Sequence, residues 1–91
     1  MSNFNRESAI ALARKRIDQL AEALGDQFEI LPDSPKEIRQ GWLFFFNTAD
    51  FVRTQNPTSA LAGNGPILIT RNGAIHELPS ALPWEEAVKH I

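Results

Sequence analysis

Residues 40–70 read QGWLFFFNTADFVRTQNPTSALAGNGPILIT, and this stretch decides the fold. Five consecutive large apolar residues, Trp42, Leu43, Phe44, Phe45 and Phe46, lead into a polar turn. A Leu-Ala-Gly-Asn-Gly-Pro loop follows, and then a second apolar run from Pro66 to Ile69. Runs this short and this aromatic, set between turn residues, read as strands that bury most of their surface. The period of two puts Trp42, Phe44 and Phe46 on one face and Leu43 and Phe45 on the other. The stretch holds no carboxylate pair, no histidine cluster and no phosphate loop with its lysine, so it reads as scaffold.

Upstream, Ile10, Ala13, Ile17, Leu20 and Leu24 recur at spacings of three and four, which draws an apolar stripe along a helix. Asn5 is a good N-cap, Glu7 suits the first turn, and Gly25 supplies a left-handed stop, so the helix is expected over Arg6 to Leu24. Arg14 and Asp18 stand four apart and can pair; Arg14, Lys15 and Arg16 read as a solvated helix face. Phe28 and Ile30 alternate with polar neighbours as in a half-buried strand, which Pro32 and Pro35 close. Ile38 to Phe46 is expected to return as the main strand.

Downstream, residues 47–65 read as loop, with a helical turn near Ala49 to Arg53 and another over Ser59 to Ala62. Pro66 to Thr70 is the next strand. Asn72-Gly73 between two strand-like runs predicts a two-residue hairpin turn. That register would set Ile69 opposite His76, and Ile67 opposite Leu78. Pro83 opens a short terminal helix, Pro83 to His90, with Trp84, Ala87, Val88 and Ile91 as its apolar side. The expected class is α+β: an N-terminal helix packed on an antiparallel sheet of about four strands, with a short C-terminal helix.

Ninety-one residues are expected to form one domain spanning 1–91, hiding roughly 65% of the unfolded chain's surface. The net charge of −2, from 9 basic and 11 acidic residues, gives no pull toward nucleic acid or an anionic membrane. With no cysteine, disulfides, thiolate zinc sites and thiol catalysis are excluded. No signal-like N-terminus and no apolar run longer than five residues is present, so a cytoplasmic, soluble protein is expected.

Signatures of chemistry fail one by one. Gly63-Asn64-Gly65 lacks both the third glycine and the following helix of a dinucleotide loop, and reads as a turn needing positive φ before the strand. His76-Glu77 begins like a zinc-protease motif, but the position of the second histidine is Ser80. His76 reads instead as a strand residue packed beside Ile69. The expectation is no enzymatic activity, no metal, no cofactor, and no nucleic-acid or membrane partner; the sequence leaves the oligomeric state open.

Gln40-Gly41-Trp42-Leu43-Phe44-Phe45-Phe46, then Leu61 to Pro66, an Asn-Gly turn, Ile75-His76 and a final Pro-Trp-Glu-Glu segment together resemble the YrhB-like proteins, also described as the immunity protein 35 family. The likeness covers about residues 38–90, and the N-terminal helix stands where that family places one. The resemblance implies a small cytoplasmic α+β protein that protects a bacterial cell by binding a cognate toxin encoded beside it. Some relatives are instead described as heat-stable, chaperone-like proteins, which keeps a holdase as the alternative. The motif supplies scaffold and no catalytic residue.

For the partner surface, the short terminal helix is expected to leave the face carrying Leu43 and Phe45 incompletely covered. Around it stand charges without a clear structural duty: Glu29, Asp33, Glu37, Asp50 and Arg53. These seven residues form the expected toxin-binding set, with the acids acting as phosphate mimics toward a basic toxin site.

Overall fold

The computed structural model describes residues 4–61 and 64–91. Helix α1 spans Arg6–Ala23 and begins as its sequence dictates: the Asn5 side chain accepts the Ser8 N–H at 3.0 Å. It ends in a paired carbonyl cap, with Gly25 N–H donating to Glu22 O and Asp26 N–H to Ala21 O. Gly25 provides the left-handed turn at φ 66°. The buried line of α1 is Ala9, Ala13, Ile17 and Ala21: Ala13 and Ile17 belong to the expected stripe, while Ala9 and Ala21 are buried in place of their neighbours Ile10 and Leu20. Ile10 and Leu20 flank it, partly buried, while Leu24 is 67% exposed. The reason is volume: the sheet contributes Phe28, Trp42, Phe44 and Phe46 to this layer, and small side chains let the helix approach them.

The strands are β1 (Phe28–Ile30), β2 (Lys36–Ile38), β3 (Gly41–Phe44), β4 (Phe46–Thr48), β5 (Ile67–Thr70) and β6 (Ile75–Glu77). They form an antiparallel four-stranded sheet ordered β2-β3-β5-β6 and an antiparallel pair β1-β4. This is the expected α+β class, but the strands divide differently: β1 leaves the four-stranded sheet to pair with β4, and Ile38 to Phe46 is three pieces and not one strand. Arg39 and Gln40 make a turn that sets Ile38 opposite Gly41. Gly41 adopts φ 153°, and a Cβ there would stand 2.0 Å from Ile69 O. Only glycine fits that crossing of backbones.

The second break falls at Phe45, where the strand changes partners. Its N–H donates to Ser34 Oγ at 2.8 Å and its carbonyl accepts the Leu31 N–H at 2.8 Å. Alternation survives the break, so Trp42, Phe44 and Phe46 share the α1 layer while Leu43 and Phe45 face the other way. On that second face, Leu43, Leu68 and Leu78 are covered by Ala87 and Val88 from α3 (Trp84–Ala87) and the 3-10 turn after it, Val88–His90. The terminal helix is thus in the expected place, but Pro83 is its N-cap and not its first helical residue, and Ile91, expected on the apolar side, is 47% exposed.

The β5–β6 hairpin differs from expectation by one residue. Ile69 faces Ile75, Leu68 faces His76 and Ile67 faces Glu77. The loop has three residues, closed by Gly73 N–H donating to Thr70 O and Thr70 N–H to Ala74 O. Gly73 at φ 88° takes the left-handed third position of such a loop, which an Asn-Gly pair serves as well as a two-residue turn. His76 therefore stands opposite Leu68 and not beside Ile69.

Residues 47–65 contain helix α2 (Ala49–Thr54) and a 3-10 turn at Pro57–Ser59, two residues earlier than expected. Thr48 caps α2 by accepting the Phe51 N–H, and its own hydroxyl donates to Ser59 O at 2.7 Å. Asn47 Oδ1 accepts the Leu61 N–H, and Asn64 Nδ2 donates to Phe46 O at 3.0 Å, so side chains stand in for a missing strand along β4. Of the expected glycine turn, Gly63 and the end of the turn at Ala62 lie outside the described residues. Gly65 does not adopt the left-handed backbone; a Cβ on it would meet Leu78 O at 2.0 Å, so crowding explains the glycine.

Candidate functional site

Of the seven residues expected to bind a partner, the structure brings three together. Glu29 on β1 and Arg53 on α2 form an ion pair of 3.0 Å, and Asp50 lies one helical turn from Arg53. They border a pair of adjoining concavities, of about 510 and 450 Å³, that share Gly25, Asp26, Gln27 and Ala49. Small side chains make the hollow: Ala21 and Ala49 are buried in its wall, and Gly25 presents no side chain at all.

The other four lie elsewhere. Glu37 sits on β2 and pairs with Arg71 at 3.1 Å. Asp33 and Phe45 border a separate groove with Leu31 and Trp84. Leu43 is fully buried, and its place on a docking strip is corrected: α3 and Leu78 close over it, because even two turns of helix cover one leucine-sized row. Phe45, at the strand break, is partly buried against that cluster.

The concavity also contains charges that the expectation missed. Asp18 and Glu22 project from α1 and Asp26 from the turn after it, giving five carboxylates with Glu29 and Asp50 against the guanidinium groups of Arg14 and Arg53. Arg14 pairs with Asp18 at 3.0 Å, as expected from their spacing, and also donates to Phe28 O. A signal existed in the sequence: Arg14, Asp18 and Glu22 repeat every four residues and so share one flank of the helix, and Asp26 continues that spacing just past its end. Among the described residues no group of three or more acids and histidines could hold a metal ion. The carboxylates are spread over the surface of the two hollows.

Beside the concavity, past Phe28, an apolar groove of about 550 Å³ runs between the end of α1 and residues 78–81. Its polar and charged lining residues are Asn64, Glu77 and Ser80, and Glu77 is engaged by Arg16 of α1. No described helix is long and apolar enough to cross a membrane.

Two antiparallel sheets under one long helix, with recessed surfaces at their junction, define a small α+β protein. The family model described as Immunity protein 35 matches residues 7–90 of the chain, which reaches from the first turn of α1 to the last residue of the terminal 3-10 turn. The chain belongs to the immunity protein 35 family. It is also similar to the protein described as "Uncharacterized protein YrhB" from Escherichia coli (strain K12), with 44% identity over 48 residues, 52% of this chain and 51% of that one. The match thus spans about half the length of that curated relative. No solved structure matches.

Proposed function

We propose that the protein is an immunity protein that binds and neutralises a cognate bacterial toxin by stoichiometric contact, without catalysis. The observation that carries this reading is the family match, which covers both layers of the fold and not one motif within it. The family implies a protein partner, and the fold suits that role. A rigid sheet holds the α1 end, the α2 loop and residues 78–81 as fixed edges around recessed surfaces, an arrangement that keeps the entropy cost of docking low. The toxin would act in the cytoplasm of the producing cell, and the immunity protein would meet it there.

A general holdase would present one broad apolar surface open to many clients. Among the described residues, the large apolar side chains most exposed, Leu24, Ile75, Leu82 and Ile91, come from four separate places along the chain. Acid-lined hollows beside a defined groove favour a single partner. Co-expression tests the reading. Where a large protein with a variable C-terminal toxin domain is encoded directly upstream, that domain should kill a susceptible cell, and this chain should restore growth and co-elute with it at one to one. Rescue without a complex, or equal protection against unrelated heat-aggregated proteins, would favour the holdase.

A further inference from the structure

The apolar groove and the acidic hollow meet at the end of α1. Leu24 lines the first and Gly25 the second, and buried Phe28 borders both. Ile10, Leu12, Ile17 and Leu20 of α1 all pack on the core, whereas Leu24, its C-cap, stands 67% exposed at the groove's lip. A single exposed leucine is ordinary in itself. This one flanks a groove that can take a large side chain from outside, opposite Leu78 and Ala81.

The charges on the neighbouring rim are not balanced. Arg14 matches Asp18 and Arg53 matches Glu29, leaving Glu22, Asp26 and Asp50 without a cation among the described residues. Five carboxylates and two guanidinium groups give the hollow a formal −3, more than the −2 of the whole chain. The placement also runs against helix stability. The last turn of α1 holds no basic residue but does hold Glu22, where the helix dipole is already negative and favours cations, and Asp26 stands three residues past the helix end. Glu77, on the far side of the groove, is paired with Arg16 and adds no free charge.

We propose that this groove with its acidic rim is the docking surface for a basic protein surface that carries a protruding apolar side chain. The apolar group enters between Leu20, Leu24 and Leu78, and lysine or arginine side chains around it face Glu22, Asp26 and Asp50. Charge complementarity selects this occupant. A second copy of the chain would bring two acidic rims together, and nucleic acid would be repelled. The inference rests on the reading of the chain as a toxin-binding protein and names the face that it uses and the chemistry of the partner.

Binding of the upstream-encoded toxin domain to purified variants tests it, with circular dichroism confirming the fold of each. Leu24→Asp and the double variant Glu22→Lys/Asp26→Lys should each weaken the Kd by about 30-fold or more, the scale of a central contact. Glu37→Lys, on β2 and outside the groove and the hollow, should stay within about threefold. Added salt should weaken the wild type more steeply than the double variant. If the wild type binds and both groove variants bind within threefold of it, this surface is wrong and the immunity reading stands. If the wild type itself does not bind that domain, the immunity reading fails and takes the surface with it.

Discussion

On one face of the four-stranded sheet an 18-residue helix lays a line of alanines over aromatic side chains that the strands supply. On the other, a four-residue helix and a 3-10 turn set Ala87 and Val88 over Leu43, Leu68 and Leu78. The first cover is long enough to hold partial helical structure by itself; the second is far below the length at which a helix persists alone. What differs is where the order originates. The α1 layer ties both sheets together, since Phe28 and Phe46 of the small sheet share it with Trp42, Phe44, Ile67 and Ile69 of the large one. The α3 layer serves the large sheet and is ordered by it.

Adjacent residues of β3 allow this comparison to be broken. Phe44→Ala empties the centre of the α1 layer and should cost ~3–5 kcal/mol in urea unfolding. Each 1 kcal/mol moves the thermal midpoint of a domain this size by about 4–8 °C, so the loss is easily read. Leu43→Ala, aimed at the other face, should cost ~2–4 kcal/mol and raise hydrogen exchange in residues 84–90 before it does so in α1. If Leu43→Ala proved the more damaging of the two, the α1 layer would not be the principal core.

Smaller changes sharpen the picture at the seam and at the edge. Ser34→Ala removes the acceptor for the Phe45 N–H at the strand break and should cost about 1 kcal/mol, with exchange rising locally at Phe45 and Leu31. Glu37→Ala breaks an exposed ion pair with Arg71 and should change stability by less than about 1 kcal/mol. A larger loss there would mean that Arg71, whose guanidinium lies 4.9 Å from the centre of the Trp42 ring, depends on Glu37 for its stacked position.

The parts of this fold that were legible are those with local causes. Asn5 and Gly25 bound α1 because a cap is a contact within three or four residues, and the alternation of residues 42–46 separated the two layers correctly. Gly41 and Gly65 were opaque because the atoms that demand them, Ile69 O and Leu78 O, lie far along the chain. The hairpin register was degenerate in the sequence, since Asn-Gly suits loops of two and of three residues. At the candidate site, Glu29, Asp50 and Arg53 were picked out as charges without a structural duty, and they converge across tertiary distance. Asp18 and Glu22 shared a visible periodicity but had no visible neighbour to give it meaning. Leu43 was misplaced because the reach of a short terminal helix cannot be judged before its docking position is known.

The two layers also differ in what they do to light. The chain has two tryptophans, and the fold gives one to each layer: Trp42 is 4% exposed in the α1 layer, and half-buried Trp84 packs against the α3 layer. Each indole has its own cation, Arg71 over Trp42 and Lys36 at 5.8 Å from the Trp84 ring centre. Native emission is therefore a sum of a water-shielded fluorophore and a partly hydrated one. Removing either with phenylalanine leaves a built-in optical probe for one side of the sheet, so the opening of each cover can be followed separately, without a label, in a protein of 91 residues.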